Sequence, residues 1–167
     1  MNPAAVVNIL SVLQEALEEQ GYAASVSEKQ KTPLLDIHFG SGSEYAPQGA
    51  SVVILNPTRD FLEADCRITV YDGLEQEKAR QASLLLPDLN RYLRLGYFGC
   101  DVEKGCFFYR FHFLIDGLNR STLQKTFIGS FSLCTSAAAR GKEILQPLIK
   151  GETTIEELLE YENTIFQ

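Results

Sequence analysis

The chain has 167 residues and a formal net charge of -7. Its length fits one domain, residues 1–167, and its 45% hydrophobic and 22% charged residues are ordinary for a globular protein. The acidic balance argues against nucleic acid and against an anionic membrane surface as partners, because both attract Lys and Arg.

The sequence also predicts the compartment. The segment from Met1 to Ala4 lacks the basic residues of a secretory signal peptide, and no apolar run approaches the roughly 20 residues of a membrane span. The cysteines are scattered and form no C-x-x-C pair, which is typical of packed thiols in a reducing cytoplasm. These cysteines are Cys66, Cys100, Cys106 and Cys134.

The first half of the chain predicts a helix followed by strands. Asn2 is a suitable N-cap with Pro3 at the first helical position, and Gly21 suits the C-cap of the same helix. Alternating apolar and polar residues then predict strands near residues 22–26, 35–39 and 62–71. Residues 52–55 are apolar throughout, so they predict a central strand.

The second half predicts helices on both sides of a hairpin. Residues 74–95 are mainly helical, and Pro87 must begin a new helix or kink an old one. Strands at 97–102 and 106–115 flank a short turn with glycine, which is typical of a β-hairpin.

Two further helices follow the hairpin. Ser121 is expected to cap a long helix, and Thr154 with Glu157 fits the capping box of a last short one. Because strands follow strands through short connections, the predicted class is α+β with a mainly antiparallel sheet, in the order α-β-β-β-(β)-α-β-β-α-α.

The second hairpin strand has two unlike faces. One face is apolar and is expected to lie in the core: Phe107, Tyr109, Phe111, Phe113 and Ile115. The other, the mixed face, carries Cys106, Phe108, Arg110, His112 and Leu114. We expect Phe98 or Cys100 of the first strand to join Phe108 there. Either a helix covers the mixed face, or it is an exposed aromatic patch that binds a partner.

The sequence does not indicate catalysis or a cofactor. His38 and His112 are isolated from other metal-ligating residues, so we expect no metal site. Neither a phosphate-binding glycine loop nor a nucleophile elbow is present in the sequence.

One stretch reverses the charge of the rest of the chain. Between residues 118 and 150 there is a single acidic residue, Glu143, and five basic residues. These basic residues are either scattered along a helix without a common role or form a basic stripe that binds an acidic partner. These bases are Arg120, Lys125, Arg140, Lys142 and Lys150.

One run of residues carries a family resemblance. It consists of Leu89-Asn90-x-x-Leu93-x-x-Gly96, Phe98-x-x-Asp101-x-Glu103-x-Gly105 and Phe108-Tyr109-Arg110-Phe111. In this run and in element order the chain resembles the type III secretion chaperone-like fold and, within it, the YbjN-like group of bacterial sensory-transduction regulators. The chain departs from the simplest pattern by an extra strand in its first half.

The resemblance implies a small, acidic, non-enzymatic and often dimeric protein. Secretion chaperones of this fold wrap a client segment around apolar patches of the sheet. We therefore expect a bacterial, cytoplasmic homodimer that binds a protein client or regulatory partner, as a chaperone-like protein or adaptor. The candidate partner-binding residues are Phe98, Phe108, Arg110 and His112. The alternatives are an immunity-type protein that neutralises a toxin and a small α+β enzyme of unrecognised class.

Overall fold

The fold is one antiparallel sheet with helices packed against one of its faces. A computed structural model describes residues 3–28, 32–40, 42–58 and 61–165. Its helices are α1 (Pro3–Glu19), α2 (Gln76–Leu84), α3 (Leu86–Asn90), α4 (Arg120–Lys150) and α5 (Ile155–Ile165). Its strands are β1 (Ala23–Ser27), β2 (Leu34–His38), β3 (Gly49–Thr58), β4 (Phe61–Tyr71), β5 (Tyr97–Asp101) and β6 (Cys106–Leu114).

The six strands lie in the order β1-β2-β3-β4-β6-β5, and each neighbouring pair is antiparallel. The predicted α+β class and antiparallel sheet are therefore confirmed. The strand that contains the apolar run 52–55, β3, lies inside the sheet as predicted. The two longest strands, β3 and β4, pair along most of their length and form its centre.

The core lies between the helices and one sheet face. That face is apolar because every second strand residue is apolar, and its buried side chains pack against α1 and α4. On β6 the predicted core residues Phe107, Tyr109 and Phe111 are at most 1% exposed. Burial of these large side chains from water is the main force that holds the sheet to the helices.

Local sequence signals set the helix ends. Pro87 lies in the first turn of a new helix, as predicted: α3 begins at Leu86, after a single residue, Leu85, that follows α2. Thr154 and Glu157 bond to each other's backbone N–H groups, so the predicted capping box is confirmed. Ser121 does not cap α4, because Asn119 accepts the N–H of Thr122 and the helix already begins at Arg120. The predicted N-cap Asn2 lies outside the described residues.

At each edge of the sheet a side chain bonds to the backbone of the outer strand, but the two edges differ in how this is done. The Asn90 side chain accepts the N–H of Phe98 at 2.7 Å and donates to its C=O at 3.0 Å, so it takes the place of a neighbouring strand along β5. At the other edge, Gln14 of α1 donates to the Ala24 carbonyl of β1. Among the described helices none is both long and apolar enough to cross a membrane.

Candidate functional site

The candidate site is the sheet face that lies away from the helices, here named the open face. Alternation along the strands places on it every second residue of each strand, and no described helix packs over them. Its central members are Glu63, Asp65, Arg67, Tyr97, Phe108, Arg110, His112 and Leu114. The mixed face of β6 therefore forms part of the open face. We predicted either a face covered by a helix or an exposed one, and no described helix covers it.

A buried carboxylate anchors the middle of the open face. Asp65 is 7% exposed and receives two hydrogen bonds from Arg110, at 2.8 Å from Nε and 2.6 Å from Nη2. This two-point pairing fixes the plane of the guanidinium group and raises the pKa of Arg110 above its ordinary value, mainly through the hydrogen bonds to Asp65. The predicted site residue Arg110 is thus held in one orientation.

His112, two residues after Arg110 on β6, extends the same network. Its Nδ1 contacts a Glu63 carboxylate oxygen, and its Nε2 lies 3.6 Å from Asp65 Oδ1. The ring is therefore placed between two carboxylates of β4, because Asp65 is the direct cross-strand neighbour of His112. In the described part of the chain no group of three His, Cys, Asp or Glu side chains is arranged to hold a metal ion.

Phe108 forms the aromatic part of the open face. Its ring lies against Gly99, where an added Cβ would approach the ring to 2.6 Å, and the Arg67 guanidinium stacks on it at 3.9 Å from the centroid. Arg67 also donates to the Cys106 thiol at 3.1 Å. A cation over an aromatic face is favourable, so this ring and its arginine form one rigid surface element.

Two exposed side chains border this network. Tyr97 is 41% exposed and pairs with Arg110 across β5 and β6, and Leu114 is 59% exposed beside Glu63. Neither was among the predicted site residues. The alternation along β6 predicted that Leu114 lies on the mixed face. The face on which Tyr97 lies depends on the length of the turn between β5 and β6, because that length sets the register of the two strands.

The predicted placement of Phe98 is wrong. Phe98 is 4% exposed, pairs with Tyr109 and packs against its ring and that of Phe107 in the core. If β5 continued to residue 102, as predicted, Phe98 would lie opposite Arg110. In the structure Val102 belongs to the turn, so the pairing with β6 is shifted by one residue. Because side chains alternate along a strand, this shift places every side chain of β5 on the opposite face from the predicted one. For the same reason Cys100 faces the helices, where its thiol donates to the Ala79 carbonyl.

The basic residues of α4 mostly contact their own chain. Arg120 pairs with Glu15, Arg140 with Glu143, and Lys150 with Glu44. Lys142 donates to the carbonyl of Ala46 at 2.7 Å. Except for the pair within α4, these contacts join α4 to α1 and to the loop before β3. They favour a structural role for the basic residues over a basic stripe that binds an acidic partner.

A shallow hollow lies where β2, β3 and β4 meet at one end of the sheet. It has a volume of about 320 Å³ and is lined by Asp36, His38, Ser51, Thr69 and Asp72, among others. His38 is exposed there, as its outward strand position predicted. In the described residues of this hollow we find no nucleophile held by a base, so the arrangement offers polar contacts and no recognisable reaction chemistry.

Comparisons with known proteins define the fold and little more. No protein-family model matches the chain, and no curated protein matches it. An uncharacterized protein from Methanothermobacter thermautotrophicus has a similar solved structure, with 12% identity and a TM-score of 0.52 over 86% of this chain and 98% of its own. The crystal structure of the ExsC-ExsE complex matches with 14% identity and a TM-score of 0.45 over 84% and 95% of the two chains.

The first of these likenesses shows a shared fold, and a shared fold does not fix a function. Membership of the YbjN-like group stays a prediction.

Proposed function

We propose that this protein is a non-catalytic binding module that holds a segment of a partner protein on its open face. The observation that carries this proposal is the one-sided packing of the sheet. Where the structure describes the chain, the helices cover one face of the sheet only and leave the other face, which spans six strands, uncovered. A sheet face normally packs against something, and a partner protein fits a surface of this breadth.

The chemistry of the open face favours a protein over a small molecule. Aromatic and arginine side chains are the residue types that dominate protein–protein interfaces. Here Arg67 and Arg110 are both held in place, by Phe108 and by Asp65. Small-molecule sites are concave and largely enclosed, whereas the network of Asp65, Arg110 and Phe108 lies along strands, outside the hollow at the end of the sheet. The acidic balance of the chain supports a partner that is not a nucleic acid.

Several features agree with a chaperone-like or adaptor role in a bacterial cytoplasm. The described cysteines are free, as expected of a reducing compartment. The family resemblance implies both partner binding and a homodimer. We carry the homodimer forward as a proposal, since closed two-fold pairs are the commonest assembly of small domains.

The test compares two matched double variants in capture from the native cell. Tyr97→Ser with Leu114→Ser removes the exposed apolar groups of the open face, which are 41% and 59% exposed. Tyr45→Ser with Leu84→Ser removes a tyrosine and a leucine that are 38% and 62% exposed elsewhere. We expect the wild type and the second variant to retain the same specific protein, and the open-face variant to lose most of it.

Equal recovery from the two double variants would exclude the open face as the binding surface. Both variants must first show the circular dichroism and thermal unfolding of the wild type. Because all four side chains are exposed, we expect each change to cost little stability.

A further inference from the structure

The open face holds an arginine that has no carboxylate partner in the described part of the chain. Arg67 of β4 is the direct cross-strand neighbour of Arg110 on β6, and like charges in such a position repel each other. Asp65 compensates the charge of Arg110 with two hydrogen bonds. No described carboxylate lies within ion-pair distance of Arg67. The charge of Arg67 is therefore uncompensated at close range.

The contacts of Arg67 hold its guanidinium group in place and use few of its donors. The group stacks on the Phe108 ring at 3.9 Å from the centroid, and its Nη2 donates to the Cys106 thiol at 3.1 Å. A thiol is a weak acceptor, and a guanidinium group carries five N–H donors. Hydrogen bonds from Lys104 lower the pKa of Asp101, to which Arg67 adds only a smaller effect. Arg67 is therefore oriented and still able to pair with an incoming carboxylate.

The shallow hollow at the end of the sheet begins beside this arginine. Ser51 of β3 is the direct cross-strand neighbour of Arg67, and Thr69 is that of Phe108. Both line the hollow, as does Gly49, which lies opposite Thr69. The small size of these three residues leaves a hollow of about 320 Å³ next to the stacked arginine and phenylalanine.

The hollow carries the opposite charge. Asp36 and Asp72 line it together with His38, and no described lysine or arginine does. Neither aspartate forms an ion pair with a described residue. Because Asp36 is the cross-strand neighbour of Ser51, it lies two strands from Arg67, or about 10 Å between backbones. A positive and a negative group without close partners thus lie side by side on the open face.

We propose that the partner segment on the open face carries charges of both signs, a carboxylate that pairs with Arg67 and a lysine or arginine side chain that enters the hollow toward Asp36. The inference rests on the proposed function and adds the chemistry of the segment. A guanidinium and a carboxylate are both planar, so their two-point pairing fixes geometry as well as adding affinity. A long basic side chain can lay its apolar stem along the strand and place its charge in the hollow.

The two charged sites act together as a filter. A purely acidic segment is repelled by the two aspartates of the hollow, and a purely basic segment is repelled by Arg67. A segment of mixed charge satisfies both sites in one orientation only, with its acidic residue toward β6 and its basic residue toward β2. The open face therefore selects both the composition of the segment and its direction across the sheet.

The first experiment uses random peptides displayed on phage as the probe. Peptides are selected on wild type and sorted by whether they still bind the open-face variant, Tyr97→Ser with Leu114→Ser. We expect the peptides that need the open face to be enriched in acidic and basic residues within a few positions of each other. Open-face peptides with one sign of charge, or with none, would overturn this inference and leave the proposed function standing. If no selected peptide depends on the open face, the proposed function itself fails.

The second experiment assigns each charge of one such peptide by double-mutant cycles, with fluorescence anisotropy as the measurement. Replacing the acidic residue of the peptide by its amide should weaken binding to wild type about tenfold, and should change binding to Arg67→Gln little. Arg67→Lys keeps the charge and should restore part of the effect. Replacing the basic residue by glutamine should likewise weaken binding to wild type and change binding to Asp36→Asn little.

The control is Arg94→Gln, which removes an exposed arginine that does not belong to the open face. This variant should bind the peptide like wild type and respond to the acid replacement like wild type. All variants must first show the circular dichroism and thermal unfolding of wild type. In either cycle, a loss as large with the variant as with wild type would overturn the proposal.

Discussion

At the scale of single residues, the side-chain amide of Asn90 makes the hydrogen bonds that a neighbouring strand would otherwise make. Asn90 bonds to both backbone groups of Phe98 on the outer edge of β5. Edge strands otherwise present unpaired N–H and C=O groups that favour aggregation. The residue was part of the family-like run, yet its role could not be predicted, because the bond joins a helix end to a strand eight residues away.

Asn90→Ala should lower the free energy of unfolding by about 1–3 kcal/mol, since both backbone groups of Phe98 lose their partner. Asn90→Asp keeps the acceptor for the Phe98 N–H but turns a carboxylate oxygen toward the Phe98 carbonyl, so it should be destabilising as well. Urea unfolding followed by circular dichroism measures both. Arg91→Ala, which removes an exposed ion pair with Asp88, serves as control and should change little. An Asn90→Ala variant as stable as this control would contradict the assignment.

A buried thiol predicts how stability depends on alkaline pH. Burial raises the pKa of Cys134 from 9.0 to about 12. Above pH 9 the unfolded chain releases this proton while the folded chain retains it, so the unfolded state binds fewer protons and stability falls as pH rises. Below pH 9 both states hold the proton and this contribution is constant.

Between pH 9 and 11, in reductant, the free energy of unfolding of wild type should therefore fall more steeply than that of Cys134→Ala. The difference in slope should approach about 1.4 kcal/mol per pH unit. Denaturant titrations at several pH values measure both slopes. Parallel pH dependence of the two proteins would show that this thiol does not titrate differently on unfolding.

At the scale of elements, the hairpin of β5 and β6 organises the sheet. Gly105 turns the chain with φ of +63°, and a Cβ there would lie 2.1 Å from the Leu74 carbonyl oxygen. The two faces of β6 were predictable because alternation within one strand is local. The face of Phe98 was not, because it depends on whether Val102 belongs to the strand or to the turn.

Phe111→Ala tests the core face of this hairpin. Phe111 is fully buried, so its loss should cost about 3–5 kcal/mol through lost transfer energy and the cavity left behind. Lys104→Ala in the turn removes a salt bridge whose lysine is 77% exposed, and should cost less than about 1 kcal/mol. Equal urea midpoints for the two variants would mean that the aromatic strand does not hold the core.

At the scale of the whole molecule, the two sides of the protein differ in kind. The open face carries paired charges and an aromatic ring, whereas on the helical side α4 carries no charged side chain from Thr126 to Ala139. The sequence predicted the sheet and the helices, because periodicity and capping are local signals. It could not predict that all described helices lie on one face, since that depends on how distant elements pack.

Of the candidate site, the sequence predicted the residues of one strand but not their partners on the next strand. Phe108, Arg110 and His112 were identified from one strand and do share the open face. Their partners Glu63, Asp65 and Arg67 belong to another strand, and only the pairing of β4 with β6 brings them together. Cross-strand register over some 45 residues of intervening chain cannot be obtained from the sequence of either strand alone.

Site-specific photocrosslinking in the native cell tests the central claim, that a protein partner binds the open face, most directly. A benzophenone amino acid would replace Tyr97 on the open face or Tyr45 in the loop before β3, two tyrosines that are 41% and 38% exposed. The account predicts one discrete protein adduct from position 97 and none of that protein from position 45. Adduct formation with the same protein from both positions, or from position 45 alone, would contradict it.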